Sequence, residues 1–302
     1  MASRRMSTRN AAIILFLGAL AVALSAIFVR LSELGPAATA VHRAGLAVPA
    51  LFLWAKLQSR GKPVVPVKAR DAWLLVLAGL FFAGDLAFWH WSITFTSVAN
   101  ASLFATSTPV FVALAAWLLL GERITRIFLL GMMLALAGAA ILAGGSLTTE
   151  PGHLLGDAFG LVTAMFFTAY LLTVKGLRTR ISAASLMAWS SLVTALALLP
   201  ITLLAGESLI PQTTEGWLVL ISLALISHVG GQGLIAVSVP HLPASFSAVA
   251  LLSEAIMAAV MGWVLLGEAL GWPQFWGGAL VLAGIALARP RRPLSPPVAS
   301  RP

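Results

Sequence analysis

Ten apolar runs of about twenty residues, separated by short connections, leave this chain few ways to fold. They lie near residues 11–32, 36–57, 72–95, 97–120, 125–145, 155–176, 183–205, 215–239, 243–266 and 271–289. A helix needs roughly 20 apolar residues to cross the ~30 Å hydrocarbon core of a bilayer. Only helices and closed barrels satisfy their backbone groups in lipid, and barrel strands alternate in polarity where these runs do not. Composition agrees: 60% of the residues are hydrophobic and 10% charged, against about 25% charged in a soluble domain. The expectation is an all-α integral membrane protein of ten transmembrane helices.

The connections carry helix breakers, among them Gly35-Pro36, Gly61-Lys62-Pro63, Pro151-Gly152, Pro211 and the stretch Pro240 to Pro243. They also carry the charge. With the N-terminus inside, 17 of the 19 Lys and Arg fall in cytoplasmic segments, and Arg30 and Arg43 lie within or at the ends of the first two spans. The outer connections hold Glu33, Glu150, Asp157, Glu207, Glu215 and Glu268 instead. This alternation follows the positive-inside rule and places both termini in the cytoplasm. It also gives the net charge of +9 a topological meaning and argues against nucleic acid as a partner, because the cations form no single folded face. The basic start, Met1 to Asn10, followed by the run from Ala11 to Val29, reads as a retained first helix rather than a cleaved signal. There is no cysteine, so no disulfide or thiolate metal site arises.

Shifted by 146 residues, the sequence partly matches itself. Trp117-Leu118-Leu119-Leu120-Gly121-Glu122 falls on Trp263-Val264-Leu265-Leu266-Gly267-Glu268. Gly131 and Gly138 fall on Gly277 and Gly284 without a gap. Trp and Glu are scarce enough here for the first match to carry weight. It divides the chain into residues 1–150 and 151–302, the second half ending in a short basic tail. An odd number of spans in each half makes the two repeats inverted. Inverted halves can exchange conformations around a site near the midplane, which is the usual basis of alternating access in transporters.

With these residues in place, the chain resembles the drug/metabolite transporter superfamily in its EamA-type ten-helix branch. The resemblance rests on Leu120-Gly121-Glu122 and Leu266-Gly267-Glu268, on the stretch from Ala99 to Phe111, and on Arg43 in the second span. It covers roughly residues 11–289, and similar members include bacterial amino-acid exporters, aromatic ones among their substrates (the YddG-like type). The resemblance implies a bacterial inner-membrane location and a central cavity lined by spans 1, 3, 4, 6, 8 and 9. It implies peripheral fifth and tenth spans, compatible with a homodimer although a monomer suffices. The halves depart from each other at Arg43/Trp189, Thr108/Glu254 and Pro109/Ala255, so the cavity should be asymmetric.

Polar groups at depth cost roughly 2.5–3.5 kcal/mol each when charged, so each needs a reason. Asp85 and Glu254, near the middle of spans 3 and 9, can bind an ammonium or carry a proton, or be structural partners of Arg43. Arg43, in the outer third of its span, can clamp a carboxylate, snorkel, or form a structural pair. Trp89 and Trp91 point to different sides of span 3; either one faces the cavity or both belong to the interfacial aromatic belt. His90 can shuttle protons or simply be hydrogen-bonded. His228 and Gln232 share a face of span 8, where Gly230, Gly231 and Gly233 either weaken the helix and bare its backbone or let another helix pack closely. Asn100 and Tyr170 are further candidates for hydrogen bonding in the cavity. Glu122 and Glu268 read as structural, each at the start of the next helix where a carboxylate complements the helix dipole.

Two other classes fit less well. An intramembrane enzyme would need a metal cluster, a nucleophile with its base, or carboxylates arranged for a diphosphate, and none of these patterns occurs; neither cofactor nor metal is expected. A receptor or scaffold would need surface that such short loops do not offer. The expected function is export of small metabolites, amino acids including aromatic ones, by alternating access around a mostly apolar cavity. The alternative is a proton-coupled multidrug or organic-cation exporter. In either case the partners are a small-molecule substrate and the bilayer.

Overall fold

The computed structural model describes residues 6–59, 69–96, 101, 104–142, 154–267 and 271–290, without the side chains at 90, 93, 94 and 266. Every regular element among them is helical. In chain order these are α1 (Thr8–Leu31), α2 (Pro36–Gly45), α3 (Ala47–Ser59), α4 (Ala69–Phe95), α5 (Thr108–Leu120), α6 (Arg126–Leu142), α7 (Leu154–Leu177) and α8 (Ala183–Leu204). Then come α9 (Thr214–Ser222), a π-helix (Leu223–Gln232), α10 (Gly233–Ser238), a 3₁₀ turn (Val239–His241), α11 (Ala244–Leu251), α12 (Ser253–Leu266) and α13 (Trp272–Ala288). Among the described residues, seven helical stretches are long and apolar enough to cross a membrane, and α5, α6 and α13 are shorter apolar helices.

Several expected continuous spans are interrupted, each for a local reason. The second span divides at Leu46, because Pro49 has no N–H to give the Gly45 carbonyl. In the fourth, a turn at 106–107 precedes α5, with Pro109 in the first turn where a missing N–H does no harm. The ninth divides at Leu252, between α11 and α12. These last two interruptions coincide under the 146-residue shift. Both use three-residue bonds, such as Ser107 N to Phe104 O at 3.1 Å and Ala255 N to Leu252 O at 3.2 Å. The glycines in the eighth span do not unwind it; the chain widens into the π-helix and stays helical.

Packing follows a reciprocal rule. Helix α1 packs on the π-helix and α10, while α7, its counterpart under the shift, packs on α4. Segments α2 and α3 pack on α8, α5 on α11, and α6 on α13. The α6–α13 contact is close. A Cβ at Gly284 would lie 2.4 Å from the Gly131 carbonyl oxygen, and one at Gly138 would lie 2.5 Å from that of Gly277. The two helices therefore run antiparallel, and each glycine meets the partner's counterpart of its neighbour, as a two-fold relation requires.

Contacts between segments distant in sequence sort the helix ends onto two faces. One holds the start of α1 with the end of α13, Asp71 paired to Arg180 at 2.7 Å, and Glu122 near Lys175 at 3.6 Å. On the other, Thr96 donates to Asp157 at 2.8 Å and the Ala38 N–H donates to Glu207 at 2.7 Å. Also there, Glu33 accepts from the Thr213 hydroxyl and from the N–H groups of Gln212 and Thr213. The Thr213 hydroxyl is the main reason the Glu33 carboxyl lies below its ordinary pKa. Glu122 does meet a helix N-terminus, but not the one that follows it. It accepts from the N–H groups of Ala244 and Ser245 (2.7 and 3.2 Å) and the Ser245 hydroxyl (2.6 Å), at the start of α11. Gly121 carries the left-handed φ of 64° that ends α5 and turns the chain.

Replacing Gly284 by Val should separate α6 from α13 and destabilise the fold by about 1–3 kcal/mol, as overpacking does. Gly121→Ala, with nothing within 4 Å of the added carbon but a positive φ, should cost only about 1 kcal/mol. Thermal unfolding in detergent checks both; a larger loss at position 121 than at 284 would contradict the packing described.

Candidate functional site

Ionisable side chains on five separate segments converge where the helices cross. The ring of Phe82, buried on α4, is the common floor. The Arg43 guanidinium of α2 sits over it at 5.8 Å from the centroid. The Tyr170 ring of α7 lies 4.9 Å away and the His228 ring of the π-helix 5.6 Å away. Asp85 is three residues beyond Phe82, one turn along the same face of α4. Glu254 stands in the first turn of α12, immediately after the interruption at Leu252. The charges of Asp85 and Glu254 both interact with that of Arg43, and with each other.

Arg43 does not snorkel. Its Nε is buried without a hydrogen-bond partner among the described residues, and an unpaired buried donor is expensive enough to call for an explanation. Asp85 and Glu254 are partly buried as residues, and both stand within range of the Arg43 charge. One cation and two carboxylates around an aromatic floor form an amphoteric site. A guanidinium suits a carboxylate ligand, the carboxylates suit an ammonium, and Phe82 suits an apolar body. Glu254 also stands in the first turn of a helix that begins at a mid-span interruption.

The surrounding shell is polar and incompletely bonded. The Nε2 of His228 and the Ser191 hydroxyl are 2.7 Å apart, while its Nδ1, Gln232 Oε1 and Ser227 Oγ are buried without partners among the described residues. The glycines beside His228 serve packing. A Cβ at Gly231 would come within 2.9 Å of the Val22 backbone nitrogen, so α1 passes close against the π-helix. Tyr170 is buried, and its hydroxyl donates to the Met187 sulfur at 3.6 Å rather than to an oxygen partner.

Of the candidates named from the sequence, Arg43, Asp85, Tyr170, His228 and Glu254 come together. Gln232 lies buried on the same π-helix, one turn beyond His228. Trp89 is half-buried on α4, a turn beyond Asp85, and Trp91 is turned toward Phe88 and Phe159. The His90 side chain, Asn100 and Glu268 lie outside the described residues. Phe82 and Ser191 were not anticipated. Phe82 was legible as the residue one turn before Asp85, whereas no local signal marks Ser191. Trp189, the counterpart of Arg43, packs edge-on to Phe52 at 5.2 Å, so the second half supplies no matching cation at that position.

Comparison with known proteins gives concordant results. Residues 9–144 and 154–289 each match the EamA-like transporter family. The chain is 30% identical over 276 residues to a probable terminal-alkyne amino-acid exporter of Streptantibioticus cattleyicolor, covering 90% of each chain. It is 25% identical over 248 residues to the pseudopaline exporter of Pseudomonas aeruginosa, covering 82% of this chain and 84% of that one. A solved crystal structure superposes with a TM-score of 0.80 at 20% identity, over 92% of this chain and 97% of the other, which speaks to the fold alone.

Removing the Ser191 hydroxyl tests the buried shell. Ser191→Ala leaves His228 with both ring nitrogens unpaired and should cost about 1–3 kcal/mol. A melting temperature in detergent equal to that of the wild type would show that the contact is not formed.

Proposed function

The chain belongs to the EamA-like transporter family, and from that premise we propose that it exports small zwitterionic metabolites, chiefly amino acids including aromatic ones. The single observation that carries this reading is the amphoteric cluster on the Phe82 ring, with Arg43 Nε lacking a hydrogen-bond partner among the described residues and two carboxylates within range of its charge. Arg43 holds the substrate carboxylate, Asp85 or Glu254 holds its ammonium, and Phe82 receives the side chain. The printed names of two relatives, an amino-acid exporter and a pseudopaline exporter, support the substrate class.

The proposed mechanism is rocking of two inverted five-helix halves, residues 1–150 and 151–302, with ten crossings in all. The reciprocal packing of α1 and α7 and the antiparallel α6–α13 pair support it. Such halves reach inward-open and outward-open states of similar energy around one site. The face bearing Arg9, Lys175, Arg180 and Arg289 is cytoplasmic by the positive-inside rule, with both termini on it. The membrane is the bacterial inner membrane, and one chain contains the whole site without a cofactor. A second reading, a proton-coupled exporter of organic cations, is favoured by one feature only: the carboxylates of the cluster outnumber its guanidinium.

Flux of labelled amino acids from proteoliposomes, with and without a pH gradient, separates the two. Arg43→Gln should raise the KM for amino acids at least about tenfold, since a hydrogen bond to a charged group contributes ~1.5–3 kcal/mol. Glu254→Gln and Asp85→Asn should lower transport while melting holds. Cation flux without amino-acid flux would overturn the lead reading, and amino-acid flux indifferent to all three substitutions would remove the cluster from the mechanism.

A further inference from the structure

A cavity of about 500 Å³ opens between the first turns of α1 and the last turns of α13, and no residue of the charge cluster lines it. Its lining is segregated. Arg9 lies in the first turn of α1 and Arg289 just past the end of α13, so both guanidiniums belong to the membrane face. Ile13 and Phe16 lie one to two turns deeper on α1, ~6–10 Å along the axis. Ile285 and Phe246 complete the apolar part. Among the described residues no carboxylate lines it, and its charged groups are the two guanidiniums. Neither the positive-inside rule nor transport requires a cavity beside those arginines.

We propose that this cavity binds an anionic phospholipid of the surrounding leaflet. Its phosphate is held between Arg9 and Arg289, and the head of one acyl chain lies along Ile13, Phe16 and Ile285. Charge complementarity selects the headgroup, because two guanidiniums, with no acid among the described lining residues, favour a phosphate diester over a zwitterionic headgroup whose choline or ethanolamine they would repel. The apolar depth selects a lipid over a soluble phosphate. The volume is in the range of ordinary ligand sites. The bound lipid bridges the first and last helices of the chain, which belong to different halves.

Native mass spectrometry tests this on the full-length protein in detergent, with added dioleoyl phosphatidylglycerol, dioleoyl phosphatidylcholine or sn-glycerol 3-phosphate. The wild type should retain one phosphatidylglycerol in preference to phosphatidylcholine, and sn-glycerol 3-phosphate should not displace it. Arg9→Gln/Arg289→Gln should weaken retention about 30-fold, from the loss of two basic residues at a membrane surface. Arg9→Lys/Arg289→Lys should keep most of it, and this pair guards against loss through misfolding. Equal retention by wild type and the Gln variant, equal retention of the two lipids, loss in the Lys variant, or displacement by sn-glycerol 3-phosphate would each overturn the proposal.

Discussion

A helix that begins leaves N–H groups without partners, and at the edge of a bilayer water is a poor guarantee of finding any. In this chain the carboxylates that meet such groups come from the other half. Glu122 caps α11, Glu33 meets the N–H groups at the entry to α9, and Glu207 meets the first turn of α2. Each such contact contributes about 0.5–2 kcal/mol, typically ~1. The energy is modest, but the connectivity is not. First-half acids hold second-half helices and a second-half acid holds a first-half helix, at both faces. The two repeats are thus clasped at their rims, and the interior can be polar and incompletely bonded.

That interior is where the constraint on charge in lipid becomes useful. An isolated guanidinium in the bilayer would be excluded or drawn to the surface. Arg43 stays because Phe82 lies beneath it and two carboxylates lie within reach of its charge. The arrangement leaves bonding capacity unused: Arg43 Nε has no hydrogen-bond partner among the described residues. Such a site has capacity to bind, and the proposed zwitterionic substrate would offer one charge to the guanidinium and the opposite one to a carboxylate. The interruption before α12 adds to this by putting a helix N-terminus under Glu254. Divergence between the halves then has a meaning, since Trp189 and Thr108 occupy the positions matching Arg43 and Glu254 and the site has one polarity rather than two.

How much of this could be read from the sequence depends on the range of the signal. The helices were legible because a long apolar run is a local property, and Gly121 and Pro109 mark local backbone demands. The family was legible from the Gly-Glu pairs and Arg43. The interruptions at 106–107 and 252 were not, because Thr106 and Leu252 break no helix by composition; of the two readings of the glycines in the eighth span, close packing is the one seen, at Gly231 against α1. The partners of Glu122 were missed for a plainer reason: Ala244 is 122 residues away, and hydropathy carries no information at that distance. The site was half legible. Charged residues at depth stood out, but the aromatic floor at Phe82 looks like any apolar residue of its helix until Arg43 and Tyr170 are placed on it.

The central claim is that one interior site serves both sides of the membrane in turn. The chain contains no cysteine, so a single cysteine introduced as Trp89→Cys, a turn beyond Asp85 on α4, reports on that site without background. Labelling with a membrane-impermeant maleimide should proceed in both right-side-out and inside-out vesicles, more slowly than at an exposed loop, and should be slowed further by amino acid. Labelling from one face only, under every substrate condition, would contradict alternating access around this cluster.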